Sequence, residues 1–343
     1  MISKIITGNL EEVKPDILIP YSINEETLSN SPILMISVRP ETNKIDYEAV
    51  IVKSTAPYAD VVYLASLSGN LVNDKALVAS HYSSQLQFAI EGKKGLARYP
   101  EMIKQFEKKF KVQFRDAKIV GPFEAILEYK LKKDADQLFE TMVPEPDFLE
   151  MFGQTIKKIG EYYVLNYDIP FIITRHHEET AVFVIALRMK SNRYRFSDID
   201  HSIYDNMCKC ETTWILDSEK RKNMAWYRQV RRTYHISRSH IEAMFDLTDF
   251  VFKNEKEQIR FANTPLGRKL LEQEILRGEQ LEERLAQLKE HPLVYLNQPG
   301  GNGKNSLKLV NIVSEGRVKK GSTFIEDDLD ECTRIIKKIN WER

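Results

Sequence analysis

Short apolar runs parted by turn residues dominate the first part of the chain. Asp16 to Pro20, Ile33 to Val38, Ile45 to Lys53 and Asp60 to Ser66 are each rich in Ile, Val and Tyr. Turn chemistry such as Arg39-Pro40-Glu41-Thr42-Asn43 separates them, which predicts strands of a mixed sheet. The spacing then lengthens. Val78, Tyr82, Leu86 and Ala89 recur every three or four residues, the period of one buried helix face, so a helix is expected from an Asn73 cap to about Gly92. Another follows Pro100, with Ile103, Phe106 and Phe110 pointing inward and Lys104, Lys108 and Lys111 in solvent.

Val143-Pro144-Glu145-Pro146 is the natural linker, because two prolines this close oppose both helix and sheet ladder. Beyond it, Phe148 to Ile159 reads as helical, and Tyr162 to Leu165, Pro170 to Arg175 and Thr180 to Met189 as strands. The last is apolar on both faces and belongs at the centre of a covered sheet. A helical hairpin follows. Its first helix runs from Asp217 or Ser218 to about Arg232, and its second starts at the capping-box pair Ser239 and Glu242. Thr264-Pro265 starts a long third helix to about Glu290. A loop at Asn297 to Ser306 then leads to a strand at Leu307 to Val313 and a helix at Glu326 to Ile339.

These elements predict an α+β protein in parts. Residues 1–143 form an N-terminal mixed sheet with helices. Residues 147–296 form a second sheet domain with the helical hairpin and the long helix. Residues 297–343 form a loop with a short αβ tail. A length of 343 residues suits more than one domain, and 42% hydrophobic with 29% charged residues describes a globular chain. The longest apolar run, Ala181 to Leu187, is far short of the ~20 residues that cross a bilayer, so no membrane partner is expected. The first residues lack the apolar core of a signal peptide, and three cysteines make no disulfide framework; a cytoplasmic protein is the expectation.

Charge changes the picture locally. Fifty basic residues balance fifty acidic ones overall, yet Lys220 to His240 holds seven Lys or Arg and no acid. Arg228, Arg231 and Arg232 share one helical face, Arg238 follows, and Trp226 and Tyr234 are interleaved as stacking groups. This points to a non-catalytic intracellular binding or regulatory protein whose basic hairpin contacts an anionic partner, either nucleic acid or an acidic protein surface. A DNA-reading helix-turn-helix is excluded, because the second helix carries Glu242, Asp246 and Asp249 where DNA would lie.

A second reading is a metal-assisted hydrolase. His176 and His177, with Asp198, Asp200 and His201 some twenty residues later, combine imidazole and carboxylate as a divalent site requires. A third is an assembly protein that forms a homo-oligomer through Leu281, Leu285 and Leu288 on the long helix. Other motifs point nowhere. Ser66-Leu67-Ser68-Gly69-Asn70 lacks the flanking glycines of a nucleophile elbow, and Gly300 to Ser306 lacks the phosphate-loop pattern. Cys208-Lys209-Cys210 has no second ligand pair, so no cofactor is singled out.

Overall fold

A computed structural model describes residues 13–22, 32–40, 45–177, 179–191, 193–209, 233–290 and 329–337. The fold is α+β, with two sheets. Strands β1 (Asp16–Ile19), β2 (Ile33–Val38), β3 (Ala59–Ser68), β8 (Ala181–Met189) and β9 (Tyr234–Ile236) form a five-stranded antiparallel sheet in the order β1-β3-β8-β2-β9. Strands β4 (Lys118–Val120), β5 (Phe148–Met151), β6 (Gln154–Ile159) and β7 (Tyr162–Leu165) form the smaller sheet, β4-β7-β6-β5, in which β4 and β7 run parallel.

The five-stranded sheet is covered on both faces, and β8 at its centre shows why. Val182, Val184 and Ala186 point into one core, while Phe183, Ile185 and Leu187 point into another. The second of these faces carries α1 (Ile45–Thr55) and α10 (Phe196–Lys209), through Tyr47, Ile51, Ile199 and Ile203. The first carries α2 (Gly69–Asp74), α3 (Leu77–His81), α9 (Ile169–Thr174) and α11 (His240–Phe250). Around the smaller sheet lie α4 (Ser83–Glu91), α5 (Lys93–Ala97), α6 (Pro100–Phe110), α7 (Pro122–Leu127) and α8 (Ala135–Glu140). Helices α12 (Pro265–Glu272), α13 (Gly278–Glu290) and α14 (Leu329–Lys337) pack on the far side of α11. No helix among the described residues is long and apolar enough to cross a membrane.

Several expectations are corrected, each for a local reason. Residues 45–53 are helical: the buried positions Tyr47, Ile51, Ser54 and Thr55 recur at helix spacing, and packing against α10 overrides the β-branched content. Phe148 to Ile159 is a hairpin. Phe152 and Gly153 both take positive φ, 51° and 71°, as a tight two-residue turn demands. Pro170 to Arg175 lies mostly in α9, with proline in the first turn where its missing N–H costs nothing. The helix expected from Asn73 to Gly92 is broken at Ala76, which is left-handed. The long helix is broken too, with Glu274 at positive φ between α12 and α13 and Gly278 at positive φ where α13 starts. Leu281, Leu285 and Leu288 are buried in this chain's own core.

The five-stranded sheet draws β1 to β3 from before the proline-rich linker and β8 and β9 from after it, so it spans the boundary placed at 143–147. The strand expected at Leu307 to Val313 lies outside the described residues.

One close approach at the end of β3 shapes the site. The Gly69 N–H donates to the Thr180 carbonyl at 2.7 Å, and a Cβ at Gly69 would lie 2.1 Å from the His177 carbonyl oxygen. Only glycine lets β3 turn into α2 against that wall. Gly69→Ala should therefore destabilise the protein by about 1–3 kcal/mol, the range for overpacking a close contact, read from urea unfolding midpoints.

Candidate functional site

Helix α11 is the element on which the site is built. Nine of its eleven residues are buried, so it has no wet face for its acids. Ser239 caps it, accepting from the Glu242 N–H at 3.1 Å, while Glu242 Oε2 accepts from the Arg238 N–H at 2.9 Å. Asp246 and Asp249 follow one turn apart and are 0% and 4% exposed. A buried carboxylate survives only with partners, and here they come from three elements: α3, β9 with the turn after it, and α13. Asp246 Oδ2 accepts from the Ser237 hydroxyl at 2.6 Å and faces His235 Nε2 at 2.9 Å. Its Oδ1 lies 3.3 Å from His81 Nδ1. Asp249 Oδ1 accepts from Ser80 Oγ at 2.8 Å and from the Lys289 ammonium, which also donates to Ser80 at 2.7 Å. The His81 ring stands between the two acids, with Nδ1 3.7 Å from Asp249 Oδ2.

Local structure explains these positions. His81 ends α3, and the Ser80–Asp249 bond fixes that end against α11. His235 sits on β9, paired opposite Ser37 of β2, and alternation along the strand turns it towards α11 while Tyr234 and Ile236 face α10. The His81 and His235 rings meet edge to face, with centroids 4.7 Å apart. Donor atoms of His81, His235 and Asp246 all lie within 4.8 Å of one another. Burial pushes Asp246 up to about 6, against the pull of His81, Ser237 and Lys289. Burial also pushes His235 down to about 4, with Arg238 and Arg39 adding to the fall. Glu242 is raised by burial as well.

A pocket opens in front of the two histidines. Its polar lining is Ser37, Arg39, His81, Tyr82, His176 and His235, and the rest is apolar, including Val78 and Phe250. About 30 Å³ is open to the centre of a water molecule, room for a few waters. His176 lies at the end of α9, its Nδ1 2.9 Å from the Ile172 carbonyl. A carbonyl only accepts, so Nδ1 carries the proton and Nε2 keeps the lone pair. Burial lowers His176 below the usual imidazole range.

The histidine–aspartate cluster expected from sequence is not assembled. His176 lines the pocket on the α11 side of the sheet, but Asp200 is buried on the opposite side, accepting from the Tyr234 hydroxyl at 2.8 Å. Strand β8 separates the two faces. His177 is exposed and its backbone is tied to Thr180. Asp198 Oδ2 accepts from the Arg195 N–H at 2.9 Å at the start of α10, and His201 is exposed on that helix. Of the basic segment, Trp226, Arg228, Arg231 and Arg232 lie outside the described residues. Tyr234 is buried in the sheet, where no base could stack on it, and Arg238 is half-buried beside Glu242. Sequence reading passed over His81 and His235. Their one legible signal was Asp246 and Asp249, two acids a turn apart on a helix whose neighbours are apolar.

Set against known protein families, curated proteins and solved structures, the chain matches none.

Two outcomes follow from this geometry. Asp246→Ala should cost about 1–3 kcal/mol in urea unfolding, because it leaves the buried Ser237 hydroxyl and the His235 ring without their acceptor. The second concerns pH. Asp246 holds its proton more tightly folded than unfolded, so its contribution is complete below its unfolded value of 3.8 and is lost as pH rises through about 6. His235 is the reverse: its contribution is complete above 6.5 and is lost as pH falls through about 4. The two slopes oppose each other in between. His235→Gln removes the histidine slope, so its stability relative to wild type should rise from pH 7 to pH 5; a relative fall would contradict the assignment.

Proposed function

We propose that the protein is a divalent-metal-dependent hydrolase, with His81, His235 and Asp246 as the metal ligands. The observation that carries this reading is the convergence of two imidazoles and one carboxylate, from three separate elements, at the back of a small open pocket. Two nitrogens and one oxygen suit zinc, and three protein ligands with a fourth position left to water are the pattern of catalytic rather than structural zinc sites. The spacing supports it. Ligands held at ~2.0–2.2 Å around a tetrahedral ion stand ~3.3–3.6 Å apart, close to the 3.3 Å between His81 and Asp246. The 2.9 Å between His235 and Asp246 is a hydrogen bond whose proton a cation would displace.

Supporting groups stand where such a centre needs them. Lys289 and Ser80 hold Asp249, which leaves Asp246 as the carboxylate facing both imidazoles. His176 offers a lone pair to the same pocket, suited to take the proton from a water that attacks an ester or phosphoryl centre and return it to the leaving oxygen.

Metal analysis after dialysis against Zn²⁺ or Co²⁺ should find about one ion per chain, lost in His81→Ala and Asp246→Asn with a fall in affinity of at least ~100-fold. His177→Ala and His201→Ala should bind as wild type. Hydrolysis of a panel of nitrophenyl esters and phosphates should vanish with chelator and return with metal. Metal-free protein after dialysis, or equal loss in all four variants, would sink the reading.

A further inference from the structure

We infer that the acid half of the substrate is a short acyl group, acetyl or propionyl, esterified to an alcohol that stays outside the pocket. The inference rests on the metal reading above and names the substrate class of that same site. Size comes first. About 30 Å³ of the pocket is open to the centre of a water molecule. One water-sized group needs ~10–15 Å³ of such space, so only about two or three non-hydrogen atoms fit. Surface chemistry comes second. What the pocket presents to an occupant is mostly hydrocarbon, supplied by Pro40, Val78, Ile172, Val182 and Phe250. Such a wall leaves the charged oxygens of a phosphoryl group without donors, whereas it favours a methyl or ethyl group.

The hydrocarbon stands beside the imidazoles. The Phe250 ring meets the His81 ring with centroids 5.2 Å apart, and Val78 lies on the same helix as His81, nearly one turn before it. Ile172 lies about one turn before His176, whose Nδ1 its carbonyl holds at 2.9 Å. A short alkyl group among these residues shares the pocket with His81, His176 and His235. Water adds to the acyl carbonyl carbon, the bond from that carbon to the alcohol oxygen breaks, and the electron pair leaves with the oxygen. His176 carries the proton from the water to that oxygen, giving the free acid and the alcohol. The walls are firm as well. Val78, Ile172, Val182 and Phe250 come from α3, α9, β8 and α11 and belong to one buried cluster, which cannot widen for a longer chain without losing packing.

The experiment uses Co²⁺-loaded and chelator-treated full-length protein with two readouts: hydrolysis of nitrophenyl acetate, propionate, butyrate and hexanoate, and calorimetric binding of the matching free acids. From acetate to hexanoate kcat/KM should fall by at least ~100-fold, since one methylene in a hydrophobic pocket is worth about 10- to 200-fold. Acetate should also bind more tightly than hexanoate. Val78→Ala takes two carbons from the wall, so it should narrow the acetate-to-butyrate ratio by at least ~10-fold while cobalt content stays at the wild-type level. Ile172→Ala should act the same way, and it decides the matter if the first variant does not fold. Equal rates along the series would overturn the inference, as would a length preference that neither variant moves. Short-acyl hydrolysis that responds to these variants but not to chelator would sink the metal reading alone. Metal uptake with chelator-sensitive turnover of nitrophenyl phosphate and none of the acetate would sink this inference alone.

Discussion

Two carboxylates on a helix with no solvent face are the constraint around which this molecule is arranged. A lone ionised carboxylate in an apolar interior costs several kcal/mol, and α11 carries two, one turn apart. Each neighbouring element answers that cost. Helix α3 brings Ser80 and His81, strand β9 and the turn after it bring His235 and Ser237, and α13 brings Lys289. The same contacts that make the acids tolerable therefore fasten two remote helices, and the strand just before it, to one helix.

Stability and chemistry are coupled there. A network that serves only to satisfy buried charge can close completely, yet this one has imidazole faces on a pocket. Desolvation drives His235 and Asp246 towards their neutral forms, so the pair is held in the state a cation disrupts by displacing a proton.

Much of the architecture was legible along the chain. Strands β1, β2, β3, β7 and β8 follow apolar runs bounded by turn residues, and β8 sits centrally because it is apolar on both faces. The caps at Ser239 and Thr264 were readable because a hydroxyl satisfying free helix amides is a local matter. Errors fell where short apolar runs suit either period. Ile45–Thr55 is a helix because α10 packs along one side of it, and Phe148 to Ile159 is a hairpin because two consecutive residues take positive φ. Neither fact is carried by the segment's own spacing.

The site divides in the same way. The residues by themselves determined that α11 would be an apolar helix bearing acids and that β8 would be buried on both faces, since these depend on neighbours within a turn or two. Only the tertiary structure decided that His81 would meet His235 and Asp246 from a remote part of the chain, and that β8 would part His176 from Asp200. The reason is physical: helix period and strand alternation set which way a side chain points, but which residue it meets depends on how strands order in the sheet and which helix covers each face.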